Sequence, residues 1–411
     1  SVLASGNWYK LSIGSAGIYK VDLSFLAGLG INTSNLSSSS IKLFGNGEHM
    51  LPESNAANRA DDLQEVAIYM ADGGDGVFSG TDFFLFYAPG PDEWLKDSVN
   101  QRFFHRKNIY SDKSYYFLTI GNNGKRIITA PLVTSPAITI SSFSERYFHE
   151  LDTVNFLGSG RDWYGEELSG LPGRSLTRNF SFNIPGIVQN SVITVRTECI
   201  ARSAGVSSRF DIAINNQPAG QLTIPQIGSG LYDLFAQSSS SVLSAIAQSE
   251  AVSINYTYLP GSFNSQGWIN WLEVFARRNM SLNGNEPLFF RDWNSVGSNN
   301  GEFVVRNATA STQVWDITDF NNPVRMQGTF SNTEFRFVNT CERLREYAAF
   351  NTATGLFKTP VSAGKISNQD LHGAPAVDFL IVTHPLFFSQ AQRLAQLHQQ
   401  NDNLRSLVVT T

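Results

Sequence analysis

The amino-acid sequence predicts a mainly β, multi-domain protein with β-sandwich-like or jelly-roll-like modules, followed by a single βαβ unit. Short apolar runs with a period of two residues, separated by turn residues, recur along the chain before Ala376. A clear helical period appears at one place, where Phe387, Ala391, Leu394 and His398 fall on one face. The length of 411 residues exceeds what one hydrophobic core usually organises, so we expect roughly two to four domains.

The first region, residues 1–135, is predicted to be an all-β domain. Its strand-like runs are NWYKLSI, GIYKVDL, IKLFG, LQEVAIYMA, DFFLFYA and SYYFLTIG. Between the second and third of these, LSFLAGLGI is long enough for two helical turns that end at Gly28 or Gly30. The Pro- and Ser-rich passage TAPLVTSPAITISS marks the end of this region.

The second region, residues 140–280, is predicted to be a two-sheet sandwich. Its clearest strands are SVITVRTECIA, RFDIAINN, AVSINYTY and WINWLEVFARR. Ile193, Val195 and Cys199 share one strand face, and two packed sheets are the simplest way to bury such faces. The third region, residues 285–375, is a smaller set of strands from PLFFRDW to EFRFVN, followed by the connection through NQDLHGAPAV.

The last region, residues 376–411, is predicted to be one βαβ unit. Asp378 to Thr383 suits a buried strand, Pro385 fits the first turn of a helix over about Leu386 to Gln400, and LVVTT from Leu407 is a second strand. A two-stranded parallel sheet covered on one face cannot stand alone. We therefore expect that the chain stops inside a domain and that this tail is its least stable part.

Composition favours a β-rich extracytoplasmic protein. Charged residues make up only 16% and the formal net charge is -5, without a long basic run, which makes nucleic acid a poor candidate partner. No run of about 18 apolar residues occurs, so no membrane span is predicted. The chain begins with Ser and has no charged-then-apolar leader, which predicts a processed or trimmed N-terminus.

Six phrases occur in one order and at distances that resemble a known family. They are IKLFGNGEHMLPE, DDLQEVAIYMADGGDGVF, FYAPGPDEW, GSGRDWYGEEL, VWDITDFNNPV and NQDLHGAPAVDFLIVTHP. Together they resemble the N-terminal half of the PorU family, the sortase-like C-terminal signal peptidases of the Por (type IX) secretion system in Bacteroidetes. The resemblance spans nearly the whole chain, and the combination is far more specific than any single phrase.

The resemblance implies where the catalytic part of the protein lies. Members of the family carry a gingipain-type cysteine peptidase domain with a caspase-like α/β fold, and the last 34 residues here resemble its opening strand, helix and strand. The His/Cys dyad of the family lies beyond the second of these strands, hence beyond Thr411. The resemblance thus implies that this chain holds no catalytic residue and is not itself an enzyme, whereas the full-length parent would be a cysteine endopeptidase or transpeptidase.

The function implied by the resemblance is that of a non-catalytic β region of a sortase, which removes C-terminal secretion signals and anchors cargo at the cell surface. The region would support its own C-terminal peptidase domain, or bind secreted cargo proteins with C-terminal signals and other type IX secretion components. The implied location is the extracellular face of the outer membrane, after removal of a signal peptide. No cofactor is expected, with calcium as the one candidate metal.

The two cysteines, Cys199 and Cys341, are predicted to be buried, inert thiols. Cys199 shares the inward parity of Val195, and Cys341 has the parity of Phe335 and Phe337. A catalytic cysteine needs a nearby imidazole or another group that stabilises the thiolate, and the sequence suggests none for either residue. A disulfide between them stays open as an alternative, although sequence alone cannot bring them together.

The acidic turn ADGGDGVFSGTD has two interpretations. Asp72, Asp75 and Asp82 could supply oxygen ligands for calcium, but their spacing is not that of an EF-hand and the Glu at its twelfth position is absent. A hairpin between strands that end at Met70 and begin at Phe83 explains the glycines without a metal. We favour the hairpin and keep calcium as the alternative.

The loop GSGRDWYGEEL and one histidine are the other candidate site residues. Arg161, Asp162, Trp163 and Glu166 place large and charged groups in a Gly-rich loop. Either the carboxylates hold Arg161 under an aromatic lid as a latch between domains, or the loop contacts a partner or substrate tail. His372 could help dock the β modules on the peptidase domain, or it is a solvated loop histidine.

An adhesive or carbohydrate-binding β-sandwich protein at the cell surface is the alternative function. Trp163, Trp268, Trp271 and Trp315 could form an aromatic platform for sugar rings in such a protein. The predicted βαβ unit argues against this alternative, because an adhesin has no use for half of an α/β sheet.

Overall fold

The computed structural model describes residues 1–47, 49–158, 160, 162–230 and 232–411. Strands hold 47% of the residues and helices 9%, which confirms the mainly β fold with a terminal helix. The chain divides into two units. The smaller unit comprises Ser1–Trp8, Asp61–Leu63 and Lys365–Thr411, and the larger comprises Tyr9–Ala60 and Gln64–Gly364. Among the described residues, no helix has both the length and the apolar character needed to cross a membrane.

The strands of the first region form two packed sheets and a separate hairpin. One sheet contains β1-β9-β3-β4 in this order together with a fifth strand, beside β1, from later in the chain; the other has the order β2-β6-β5, and β7 pairs with β8. The bounds are β1 (Trp8–Ile13), β2 (Gly17–Asp22), β3 (Ile41–Phe44), β4 (Glu65–Val66), β5 (Tyr69–Ala71), β6 (Phe83–Ala88), β7 (Glu93–Asp97), β8 (Arg102–Arg106) and β9 (Ser114–Ile120). Leu11, Phe84 and Leu118 are fully buried in the core that the two sheets share.

The first helix lies where the sequence predicts two helical turns. Helix α1 (Leu23–Gly28) follows β2 directly, and the Asp22 carboxylate caps it by accepting a hydrogen bond of 2.9 Å from the Phe25 N–H. Gly30 then takes φ +83°, a conformation that favours glycine, and turns the chain away from the helix axis.

The sandwich predicted for the second region is confirmed. One sheet has the order β12-β22-β17-β20 with β15 against β22, the other has the order β16-β21-β18-β19, and β13 pairs with β14. The bounds, which begin with two short strands before the sandwich, are β10 (Ile128–Thr129), β11 (Ile138–Ile140), β12 (Ser142–Glu150), β13 (Val154–Asn155), β14 (Trp163–Tyr164), β15 (Glu167–Ser169), β16 (Thr177–Asn183), β17 (Val192–Arg202), β18 (Ser208–Ile214), β19 (Gln217–Ile224), β20 (Gln237–Ile246), β21 (Ala251–Leu259) and β22 (Gln266–Asn279). Val195, Ile254 and Val274 are buried between the two sheets.

The third region builds two sheets that also take up β10 and β11. Its strands are β23 (Leu288–Phe290), β24 (Asn300–Arg306), β25 (Thr312–Asp316), β26 (Val324–Arg325), β27 (Gly328–Ser331), β28 (Glu334–Thr340) and β29 (Tyr347–Asn351), and β30 (Val361–Ile366) follows them. The sheet orders are β10-β26-β25-β29-β23 and β11-β24-β28-β27. Both β10 and β11 pair in parallel with their neighbours β26 and β24. The division of the chain into four regions stays a prediction.

A network of buried ion pairs, here called the Glu346 network, links the first three regions within the larger unit. The Glu346 carboxylate lies 2.7 Å from Lys96 Nζ and 2.8 Å from Arg146 Nη2, and these cations lie in β7 and β12. Arg291 lies between Glu346 and Glu145, with its guanidinium 3.5 Å and 3.1 Å from their carboxylates. The members are Lys96, Glu145, Arg146, Arg278, Arg291 and Glu346.

A small apolar core joins the first and third regions. The fully buried Trp315 of β25 packs with Ile18 and Leu85 from one region and with Phe350 from the other. The indole meets the Phe350 ring edge-on, with the centroids 4.7 Å apart. Its Nε1 donates a hydrogen bond of 3.0 Å to Gln313 Oε1, so the buried polar atom is satisfied.

The smaller unit contains the predicted βαβ element. Its strands β31 (Phe379–Thr383) and β32 (Ser406–Thr410) pair in parallel, and helix α2 (Phe388–Asp402) connects them. His384 Nδ1 accepts a hydrogen bond of 3.2 Å from the Leu386 N–H at the start of the single 3-10 turn that precedes α2. Leu380 and Val382 are 53% and 61% exposed, so one face of this sheet carries apolar side chains in solvent.

We expect amides of β31 to exchange with solvent much faster than amides of β17. Fast exchange follows from low local stability, because the sheet of β31 and β32 buries little apolar surface, whereas β17 is central in the sandwich. Hydrogen exchange followed by mass spectrometry of dilute protein measures both strands in one experiment. Equal protection of Phe379–Thr383 and Val192–Arg202 would contradict the prediction.

Candidate functional site

The loop GSGRDWYGEEL is shaped by the short hairpin of β13 and β14. Asn155 pairs with Trp163 across this hairpin, and its side chain ties the loop by donating 2.7 Å to the Asp162 carbonyl and accepting 3.0 Å from the Gly160 N–H. Gly160 has φ +82°, which its lack of a Cβ permits. Arg161, part of the predicted site, lies outside the described residues.

Glu166 faces the sandwich rather than the other loop carboxylate. It is buried, and its Oε1 lies 2.7 Å from His149 Nε2 of β12, while the His149 ring packs 4.6 Å from the ring of Phe180. Burial acts to raise the pKa of Glu166, but the hydrogen bond from His149, a backbone hydrogen bond and the charges of His149 and Arg178 together outweigh it, so the pKa lies below its usual value. The His149–Glu166 pair therefore fixes the base of the loop to the sandwich.

Asp162 and Trp163 open onto a cleft in the larger unit, which we call the acidic cleft. It consists of two adjoining cavities of about 530 Å³ and about 730 Å³, which share Ile109, Glu150, Asp162 and Asn270 in their walls. The smaller cavity is lined in addition by Asn108, Asp152, Gly160, Trp163, Tyr164 and Glu198, and the larger by residues 50–54, 104–107, 110, 148, 196 and 271–273. The predicted loop thus forms one wall of this cleft.

The cations that line the acidic cleft already have carboxylate partners. Arg196 Nη1 lies 2.7 Å from Glu273 Oε2, and its guanidinium lies over the ring of Phe104, 4.3 Å from the centroid. Lys107 Nζ lies 2.7 Å from Asp152 Oδ2. Arg106, the third cation, pairs with Glu93 just outside the cleft.

Three carboxylates of the cleft have no lysine or arginine partner among the described residues. They belong to Glu150, Asp162 and Glu198. Glu198 Oε1 accepts a hydrogen bond of 2.9 Å from the neutral amide of Asn270. Burial, together with the negative charges of Asp162 and Glu198, raises the pKa of the Tyr164 hydroxyl. The interior of the cleft is therefore electronegative.

His105 is a buried polar side chain of the cleft, and sequence inspection alone did not single it out. Its side chain is 4% exposed, its ring stacks on the ring of Phe148 and it meets the ring of Trp94 edge-on. Neither ring nitrogen has a hydrogen-bond partner among the described residues, and Nδ1 lies 3.6 Å from Glu150 Oε2. Most buried polar side chains have a hydrogen-bond partner, so this imidazole is an exception.

The structure does not gather the three aspartates of the acidic turn into one site. Asp72, Asp75 and Asp82 each accept a hydrogen bond from a nearby backbone N–H, at 3.1, 2.9 and 2.7 Å. The turn connects β5 and β6 as an antiparallel hairpin, as the favoured interpretation predicts. Within the described ranges, no group of three or more His, Cys, Asp and Glu side chains has the geometry to hold a metal ion.

His372 lies in the smaller unit and is not among the residues that line the acidic cleft. Its ring nitrogens lie 3.5 Å from Asp61 Oδ1 and 3.3 Å from Asp62 Oδ2, and its side chain is 44% exposed. These contacts with the carboxylates of Asp61 and Asp62 anchor the loop of His372 to residues 61–62. Docking on a peptidase domain stays a prediction for this residue.

Both cysteines are buried and free, so the disulfide alternative was wrong. Cys199 lies in the sandwich core and Cys341 in the core of the third region. Burial raises the pKa of each thiol, which is the opposite of what a thiolate nucleophile requires. No hydrogen bond joins either thiol to a histidine in the described part of the chain.

The aromatic platform considered for sugar binding does not form. Trp268 and Trp315 are buried, whereas Trp163 is 41% exposed and Trp271 lines the larger cavity of the cleft. Four indoles on one surface are therefore excluded, because two of them belong to the protein interior.

Comparison with known proteins gives a strong similarity of fold. No family model matches the chain, and no curated protein matches it. The crystal structure of dimeric latent PorU from Porphyromonas gingivalis matches with a TM-score of 0.84 and 23% identity, over 100% of this chain and 38% of that chain. The resemblance predicted from the sequence is thus confirmed at the level of the fold, and the chain spans 38% of the length of that protein.

Two carbohydrate-binding structures match only weakly. One is the CBM36-1 domain of a multidomain xylanase from the hindgut metagenome of Trinervitermes trinervoides, with a TM-score of 0.20 and 8% identity, over 32% of this chain and 96% of that chain. The other is the carbohydrate-binding module CBM36 in complex with calcium and xylotriose, with a TM-score of 0.20 and 11% identity, over 33% of this chain and 99% of that chain. Similarities this low have no bearing on the function of the chain.

Proposed function

We propose that this chain is the N-terminal, non-catalytic β region of a type IX secretion system sortase of the PorU type. The observation that supports this most is the match of the whole chain, including the βαβ unit, to the fold of PorU from Porphyromonas gingivalis. The six sequence phrases quoted above support it independently of the fold. The proposed activity of the full-length protein is removal of C-terminal secretion signals and anchoring of cargo at the cell surface by a gingipain-like cysteine peptidase domain.

The proposed role of the β regions is to support the peptidase domain of the same protein, or to bind cargo and partner proteins. The Glu346 network and the core around Trp315 fix the first three regions against one another, which suits a rigid support. Its proposed partners are the peptidase domain of the same protein, cargo with C-terminal signals and other type IX secretion components. The proposed location is the extracellular face of the outer membrane.

Deletion of the gene in the source bacterium tests the proposal. We expect type IX cargo to keep its C-terminal signal in the deletion strain, as measured by mass spectrometry of intact cargo, and an intact copy of the gene to restore processing. A deletion strain that processes all cargo normally while it loses adhesion to a surface or a sugar would overturn the proposal in favour of the adhesive alternative.

The purified 411-residue chain is expected not to cleave a cargo C-terminal signal. Both of its thiols are buried with raised pKa values, so neither supplies a thiolate near neutral pH. Incubation with a purified cargo domain and analysis of the products by mass spectrometry measures this. Cleavage that disappears in Cys199→Ala or Cys341→Ala would show that the assignment as non-catalytic is wrong.

A further inference from the structure

We infer that the acidic cleft is a binding site for an extended polypeptide segment that carries a lysine or arginine side chain. Among the described residues, the cleft combines carboxylates that have no lysine or arginine partner, apolar walls and a buried imidazole that has no hydrogen-bond partner. The inference does not depend on the proposed function, since the cleft either binds such a segment or does not, whatever the full-length protein does.

Charge selects a cationic ligand. Glu150, Asp162 and Glu198 have no lysine or arginine partner in the described ranges, whereas Arg196 and Lys107 are neutralised by other carboxylates. An anionic ligand would meet these three carboxylates, and the lysine and arginine side chains described in the cleft already have carboxylate partners. A lysine or arginine side chain would instead restore the charge balance and gain charge-assisted hydrogen bonds.

The shape and the rim of the cleft select a polypeptide. The larger cavity, of about 730 Å³, suits a few residues of extended chain rather than a single ion. Leu51 and Tyr110 at its rim are 71% and 79% exposed, and Trp163 stands at the edge of the smaller cavity. Exposed apolar and aromatic side chains beside a cavity supply the apolar contact area that a bound chain segment covers.

His105 is the observation that points to a ligand independently of the charges. Its two ring nitrogens lie buried in the wall of the larger cavity without a hydrogen-bond partner among the described residues. A backbone carbonyl or N–H of a bound segment would satisfy one of them. We therefore place the backbone of the segment beside His105 and its cationic side chain toward Glu150 and Asp162.

Ligand-observed saturation-transfer NMR with three acetylated and amidated pentapeptides tests the inference. The probes are Ala-Ala-Lys-Ala-Ala, Ala-Ala-Arg-Ala-Ala and Ala-Ala-Nle-Ala-Ala, in which norleucine keeps the apolar chain and lacks the charge. We expect the first two to bind and the third to bind at least about tenfold more weakly, with binding weakened by 0.5 M salt (roughly a 4 Å screening length).

Two variants of the acidic cleft test whether the lysine peptide binds there. Glu150→Gln and Asp162→Asn are each expected to weaken binding of the lysine peptide by about three- to tenfold, since each removes one charge from the cleft. Glu286→Gln removes one charge from an exposed site elsewhere and serves as the matched control, with unchanged affinity expected. Circular dichroism of each variant checks that it is folded.

Three results would overturn the inference. They are equal affinity for the norleucine and lysine peptides, unchanged binding in the Glu150 and Asp162 variants, and no binding of any peptide at millimolar concentration. Cellohexaose is added as a further probe. If this sugar binds and displaces the lysine peptide, the cleft is a carbohydrate site and the assignment to polypeptide is wrong.

Discussion

Glu346→Gln is expected to lower the free energy of unfolding by about 3–5 kcal/mol, because it leaves buried cations without their counter-charge. Lys96, Arg146 and Arg291 all lie within 3.5 Å of this carboxylate, and the side chains of Arg146 and Arg291 are 9% and 5% exposed. Urea unfolding followed by circular dichroism measures the change. The control is Glu302→Gln, which breaks a half-exposed pair with Arg336 and is expected to cost at most about 1 kcal/mol.

We also expect the effect of Glu346→Gln on the free energy of unfolding to depend on pH. Burial acts to raise the pKa of Glu346, but Arg146, Lys96 and Arg291 together hold it well below its usual range. A carboxyl with a depressed pKa in the folded state contributes stability above its unfolded pKa of about 4.3, and this contribution is lost as the pH falls further. The stability difference between the wild type and Glu346→Gln is therefore expected to be constant above about pH 6 and to shrink toward pH 3. A difference that grows on acidification would contradict this assignment of the charges.

Trp315→Ala is expected to lower the free energy of unfolding by about 3–5 kcal/mol, because it empties a fully buried site in the core that joins the first and third regions. Trp163→Ala is the matched control, since that indole is 41% exposed and its loss is expected to cost less than about 1 kcal/mol. Far-ultraviolet circular dichroism during urea unfolding measures both variants without dependence on tryptophan fluorescence.

Hydrogen exchange shows whether Trp315 couples the two regions. We expect Trp315→Ala to increase exchange both in β2 and β6, which supply Ile18 and Leu85, and in β29, which supplies Phe350. Faster exchange in β25 and β29 alone, with β2 and β6 unchanged, would mean that the first region holds its structure without this core.

Local features of the fold were predicted well because local chemistry determines them. The alternation of Ile193, Val195 and Cys199 predicted β17 and the burial of the Cys199 thiol. The helical period after Pro385 predicted α2. The glycines that end α1 and the hairpin between β5 and β6 followed from turn chemistry. In each case the residues that decide the structure are close neighbours in the chain.

Features that depend on distant partners were not predicted. Strands β7 and β8 contain EWLKD and RFFHR, whose mixture of charged and apolar residues does not alternate, and their burial is decided by contacts such as Phe103 against Trp293. The run LQEVAIYMA was predicted as one strand, but it divides into β4 and β5 in different sheets. The aromatic side chains Trp268 and Trp315 look equally suited to a surface platform or a core in sequence, and only packing distinguishes the two.

The acidic cleft could be predicted from the sequence only in part, because its walls come from distant parts of the chain. The sequence pointed to Asp162 and Trp163, because charged and aromatic residues are unusual in a Gly-rich loop. It did not point to Glu150, Glu198 or His105, which come from β12, β17 and β8 and meet only in the folded chain. Glu166, which sequence grouped with Asp162, proved to pair with His149 instead. A one-dimensional pattern cannot show which of two nearby carboxylates turns inward.

Strand β10 pairs in parallel with β26, and β11 pairs in parallel with β24. We expect these two pairings to constrain the order in which the chain folds. Ile128 lies opposite Val324 and Ile138 opposite Gly301, while Ser142 and Asn279, the first and last residues of the intervening sandwich strands, face each other. The sandwich is therefore an insertion whose two ends meet, and it can form while the sheets on either side of it are still open.

The sheet that contains β10 is complete only after the chain has been made as far as β29, since β25 needs β29 as its neighbour. Until β24 and β26 have been made, β11 and β10 present unpaired edges, a state in which a partly synthesised chain is prone to aggregate. A chain that leaves the ribosome or crosses a membrane N-terminus first would thus complete the sandwich early. The two sheets that contain β10 and β11 would be completed late. The stretch between β9 and β12 therefore depends for its pairing on strands that are made more than 150 residues later, after the whole sandwich.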